Sequence, residues 1–105
     1  MKPIAFLGDS LKRIRDFPEE ARNEAGHQLN VVQHGGTPSD FKPMPTLGPG
    51  ACEIRIWSPD GTYRVFYVAT RPEAVYVLHA FQKKTQGTPK QDIDLAKQRY
   101  RTIGG

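Results

Sequence analysis

The stretch ACEIRIWSPDGTYRVFYVATRPEAVYVLHAF, residues 51–81, decides the fold. Polar and apolar side chains alternate along residues 51–57, 62–69 and 74–81, and a period of two is the mark of a β-strand. Ser58-Pro59-Asp60-Gly61 and Thr70-Arg71-Pro72-Glu73 separate the three runs. Proline, aspartate and glycine in these positions favour tight reversals, so the runs are predicted to pair as an antiparallel meander.

Register decides which side chains share a face. A two-residue loop at Pro59 and Asp60 sets Arg55 opposite Arg64. Placing Ala69 opposite Ala74 at the second turn sets Arg64 opposite His79, giving a row of Arg55, Arg64 and His79 across three strands. Trp57 and Phe81 share the parity of that row, as do Phe66, Val68, Val75 and Val77. Cys52, Ile54, Ile56, Val65, Tyr67, Tyr76 and Leu78 fall on the opposite face, predicted to pack against helices. A three-residue first loop would instead split Arg55 and Arg64 between faces.

Working outward, Lys2-Pro3-Ile4-Ala5-Phe6-Leu7 reads as a short edge strand, where Pro3 is tolerated without an amide donor. Asp9 or Ser10 can cap a helix that ends before Pro18. Pro18-Glu19-Glu20 opens a second helix with Ala21, Ala25, Leu29 and Val32 on one side and Gly35-Gly36 as its stop. The Pro- and Gly-rich residues 35–50 read as a loop. Beyond the meander, Thr88 is a candidate N-cap, Pro89 a first helical residue and Gln91 a capping-box partner for a helix reaching Tyr100 or Arg101, with Ile93, Ala96, Lys97 and Tyr100 along one side. The fold class is α+β: an edge strand and helical hairpin packed on a meander, with a C-terminal helix.

The 105 residues are 37% hydrophobic and 25% charged, enough apolar mass for one ordinary core, so residues 1–105 are read as a single domain. No run approaches the ~20 apolar residues of a membrane span, and the apolar N-terminal run is too short for a signal peptide, which predicts a cytoplasmic protein with no membrane partner. One cysteine, Cys52, and three scattered histidines lack the spacing of a disulfide framework or a metal site, so neither metal nor cofactor is expected.

Net charge is +4, and its distribution is uneven. Residues 1–52 hold six basic and six acidic side chains, whereas residues 53–105 hold nine and five, so the whole excess lies in the half that forms the meander. Like charges directly across strands are destabilising, so folding alone does not select Arg55 opposite Arg64. Either Glu53 or Asp60 neutralises the pair as part of an ordinary surface network, or an anion sits between the two. Lys83 and Lys84 continue the basic row into the following loop, and lysines there are either solvated or phosphate ligands. Trp57 and Phe81 either pack in the core or stack on bases.

An anion site with one proton carrier suffices for RNA cleavage. The substrate's 2′-hydroxyl serves as internal nucleophile, so the protein aligns it, neutralises charge and moves protons. Arg55 and Arg64 would stabilise charge, and His79, or a lysine of lowered pKa among Lys83 and Lys84, would carry the proton.

Glu53-Ile54-Arg55-Ile56, Tyr63-Arg64-Val65-Phe66-Tyr67 and Tyr76-Val77-Leu78-His79-Ala80-Phe81-Gln82-Lys83-Lys84-Thr85, in this order of elements, resemble the RelE/ParE toxin superfamily and especially its phage-derived, HigB-like branch. The resemblance spans nearly the whole chain. It implies a RelE-like fold and the toxin of a type II toxin-antitoxin system that cleaves mRNA in the ribosomal A site without metal, with ribosome and mRNA as partners and a helix-turn-helix, HigA-like antitoxin as inhibitor. The family's strand arginine matches Arg64, and its basic residue on the preceding strand matches Arg55. Members often end in a catalytic tyrosine or histidine-tyrosine tail, where this sequence has a charged helix and Thr102-Ile103-Gly104-Gly105; His79 and Lys83 stand in as candidate proton carriers. The same resemblance admits a non-enzymatic ParE-like gyrase inhibitor or a phage nucleic-acid-binding protein. A third reading makes the basic row a docking surface for an acidic antitoxin segment.

Overall fold

In the computed structural model, residues 1–84 and 86–103 are described; Thr85 of the basic loop and the terminal Gly104-Gly105 lie outside them. The elements are β1 (Ile4–Phe6), α1 (Ser10–Arg15), α2 (Glu19–Gln33), β2 (Phe41–Pro43), β3 (Ala51–Ser58), β4 (Gly61–Val68), β5 (Val75–Lys83) and α3 (Lys90–Arg101). They build the expected α+β architecture around a five-stranded sheet of order β1-β5-β4-β3-β2. Among the described residues, no helix is long and apolar enough to cross a membrane.

The meander forms as the alternation predicts, with Ser58 opposite Gly61 closing a two-residue loop. Gly61 adopts φ +139°, a backbone angle that L side chains rarely take, which is why glycine ends this turn. β1 joins β5 in parallel at one edge. β2 is a correction to the loop expected over residues 35–50: Phe41–Pro43 pairs antiparallel with β3. Three residues are too few to display a period, and Pro43 is accommodated because it lies on an outer strand.

Two cores lie on opposite faces of the sheet. On one, Ile14 and Phe17 join Ala21, Ala25, Leu29 and Val32 of α2 against Ile54, Ile56, Val65 and Tyr67. On the other, Ala96 of α3, with Ile93 and Tyr100 beside it, packs on Phe66, Val68, Leu78 and Phe81. α3 starts one residue later than expected, with Pro89 as its N-cap and no side-chain cap bond, so neither Thr88 nor Gln91 forms a capping box.

The second register differs from expectation in two steps. The β4–β5 connection is one residue wider, so Val68 faces Tyr76, and a bulge between Phe66 and Tyr67 of β4 adds a second shift, leaving Leu78 as the extra residue of β5. Each shift inverts parity, and together they cancel. Tyr76 and Leu78 therefore belong to the α3 face and Val75 and Val77 to the α2 face, the reverse of expectation, while His79 and Phe81 beyond the bulge keep the expected side.

Candidate nucleic-acid interface

Beyond the bulge, the face of β3, β4 and β5 that carries α3 forms a grid of three rows. Glu53, Phe66 and His79 make the first, Arg55, Arg64 and Phe81 the second, and Trp57, Thr62 and Lys83 the third. Exposure rises across the grid: Glu53 is 2% and His79 0% exposed, Arg64 5%, and Trp57 63%. The arginine pair thus sits at the boundary between the buried core and an open surface.

Arg55 lies directly opposite Arg64, as the first turn predicts. Arg64 is opposite Phe81 rather than His79, so the expected row of Arg55, Arg64 and His79 is corrected to Arg55, Arg64 and Phe81. Glu53 Oε1 stands 3.4 Å from Arg55 Nε and 3.6 Å from Arg64 Nε. At 3.6 Å the second contact is an ion pair but not a hydrogen bond, and Arg64 Nε is buried with no hydrogen-bond acceptor in reach. One Arg64 terminal nitrogen, Nη1, donates to Tyr63 O at 3.2 Å, and the guanidinium lies 5.5 Å from the centre of the Trp57 ring. Burial pushes the Arg64 pKa down from its ordinary value; Glu53 opposes this, and the neighbouring Arg55 charge reinforces it.

Trp57 stands between two cavities. The larger, about 580 Å³, is lined among the described residues by Trp57, Thr62, Arg64, Lys83, Lys84 and Gln86, three of them cations. The smaller, about 190 Å³, holds Arg55 and Trp57 with Glu20, Glu24, Ser39, Asp40 and Ile56. Asp40 fixes the tryptophan by accepting from its Nε1–H at 2.6 Å, and its backbone oxygen accepts from the Arg55 amide at 2.9 Å.

Of the sequence-derived candidates, the structure brings Arg64, Lys83, Lys84 and Trp57 into one cleft, with Arg55 immediately beside it. Phe81 is buried, stacked on the His79 ring at 5.5 Å and edge-on to Phe66 at 5.3 Å, so its ring serves the core rather than an open stacking surface. His79 is sealed beneath α3. Its Nε2 meets Asp92 Oδ1 at 2.6 Å and its Nδ1 meets Arg99 Nη1 at 3.3 Å. A guanidinium only donates, so Nδ1 is the acceptor and Nε2 carries the proton toward Asp92: a neutral imidazole with both nitrogens engaged. Arg99 also reaches Leu78 O and Asp9 Oδ1, at 3.1 and 2.7 Å.

Asp40 escaped the sequence reading because it lies in the stretch taken as loop, and Asp92 and Arg99 because only the docking of α3 brings them to β5. A polar face on α3 with aspartate one turn from Pro89 was visible, but it is equally the signature of a solvated helix.

No curated protein matches the sequence. Residues 12–101 match the family described as Phage derived protein Gp49-like (DUF891), a span that includes β2 to β5, α2, α3 and every residue lining the basic cleft. The chain therefore belongs to the Gp49-like phage-derived family, a family of the RelE-like toxin type.

Proposed function

We propose that the protein is the toxin of a type II toxin-antitoxin system, of the HigB-like branch, acting as a ribosome-dependent, metal-independent mRNA endonuclease. The observation that carries this reading is the cleft in which Arg64, Lys83 and Lys84 converge beside an exposed Trp57, with Arg55 across the strand from Arg64. The substrate's 2′-hydroxyl oxygen attacks the adjacent phosphorus, the bond to the 5′-oxygen breaks, and a 2′,3′-cyclic phosphate and a 5′-hydroxyl result. Arg64, with Arg55 behind it, neutralises the charge gathering on the phosphorane oxygens. Lys83 is the candidate to move the proton, since His79 has both nitrogens committed within the core. Trp57 offers a stacking surface and Lys84 a flexible phosphate contact. The partners of this reading are the ribosome with its mRNA and a helix-turn-helix, HigA-like antitoxin, in the cytoplasm.

The test is to add purified protein to translating ribosomes and map mRNA ends. Cuts at the A site, reduced about 10²–10³-fold by Arg64→Ala, are expected. Intact mRNA together with inhibited DNA gyrase would establish the ParE-like reading instead, and loss of neither would leave the cleft as a nucleic-acid or antitoxin docking surface.

A further inference from the structure

Glu53, which the sequence offers as a neutraliser of the arginine pair on an ordinary surface, is instead a fully covered carboxylate in the first row of the grid, beside Phe66 and His79. A carboxylate at 2% exposure must be paired to be tolerated, and its partners are the two arginines of the next row. Both contacts run from the same oxygen, Oε1, and both reach Nε, the inner nitrogen of each guanidinium. The Arg55 contact is a hydrogen bond that restrains the plane of its fork, and the Arg64 contact is an ion pair without one; Arg55 Nη1 also lies 4.0 Å from Asp40 Oδ1, and Arg64 Nη1 donates to Tyr63 O. Arg64 then opens into the basic cleft and Arg55 into the smaller cavity on the other side of Trp57.

We infer that Glu53 is a positioning residue for the arginine pair, holding both guanidiniums from behind so that they flank Trp57 in fixed orientations, and offsetting their mutual repulsion before any phosphate arrives. The inference rests on the proposed nuclease reading for its catalytic consequence, and on geometry alone for the positioning. Its charge acts oppositely on binding and on rate. A buried negative charge behind the cations lowers their pull on RNA, while the alignment it imposes aids the transition state.

Glu53→Gln keeps the side chain's shape and an acceptor oxygen but removes the charge; Glu53→Ala removes both. The measurements are affinity for a short single-stranded RNA, the single-turnover cleavage rate on programmed ribosomes, and the Nε–H resonances of Arg55 and Arg64 by NMR. In the Gln variant, RNA affinity is expected to hold or rise a few-fold while the cleavage rate falls on the order of 10²-fold, the cost of a misplaced catalytic group. The Ala variant falls further, and in both variants the Nε–H signals of both arginines shift, that of Arg55, which donates to Glu53, also exchanging faster with water. A purely structural role would lower affinity and rate together, and unchanged Nε–H signals would overturn the positioning. If the wild-type protein cuts no mRNA, the nuclease reading fails, and the NMR and affinity arms still decide the role of Glu53.

Discussion

His79 and Asp92 meet at 2.6 Å between Nε2 and Oδ1, joining the bulge of β5 to the first turn of α3 with both side chains shielded from water. Burial, opposed by Asp92, pushes the His79 imidazole below its ordinary 6.5. Below about pH 6.5 the unfolded chain therefore takes up a proton that the folded chain resists. Stability is expected to hold above that pH and to decline as pH falls through the window beneath it. Thermal melts between pH 8 and 5 check this, and His79→Gln should flatten the slope. Asp92→Ala, which leaves Nε2–H without an acceptor, should cost about 1–3 kcal/mol in urea unfolding at pH 7.5.

Asp9 extends the same clamp to α1. It accepts from Arg13 Nε at 2.9 Å and from Arg99 Nη2 at 2.7 Å, contacts that outweigh the upward push of burial and hold its carboxyl at about 2. Its stabilising contribution is present above its ordinary 3.8 and is lost as pH falls toward 2, so Arg99→Ala should weaken the acid-limb dependence. Gly8 is the steric key. It adopts φ +54°, and an added Cβ would collide with the Arg99 guanidinium. Gly8→Ala is expected to destabilise by about 1–3 kcal/mol and to raise amide exchange selectively in α3, measured by hydrogen exchange with mass spectrometry.

Lys84 is exposed at the cleft's edge, whereas Arg64 is buried at its base. Lys84→Ala should therefore weaken RNA binding uniformly across sequences and reduce the slope of log affinity against log salt by about 0.7, one phosphate contact on a single strand. Because the chain has a single tryptophan, Trp57 fluorescence reports the titration directly. Quenching that persists in Lys84→Ala but shows an unaltered salt slope would remove this lysine from the phosphate path.

The sequence by itself determined the meander, the helical hairpin, the terminal helix and the facing of Arg55 by Arg64, because each follows from a local period or a turn whose residues permit one geometry. It also made Arg64, Lys83, Lys84 and Trp57 candidates for one surface, since strand parity survives an even number of register shifts. The tertiary structure decided what parity alone leaves open. A wider turn and a bulge at Leu78 moved Phe81, not His79, opposite Arg64, and neither feature has a signal separable from ordinary strand sequence. Docking of α3 then buried His79 between Asp92 and Arg99, turning a candidate proton carrier into a clamp. Glu53 beside the arginine pair follows from the first hairpin's register, whereas Asp40 with Trp57, distant along the chain, acquired its relationship only through packing, because partners and burial of a polar group are set by which elements close over it.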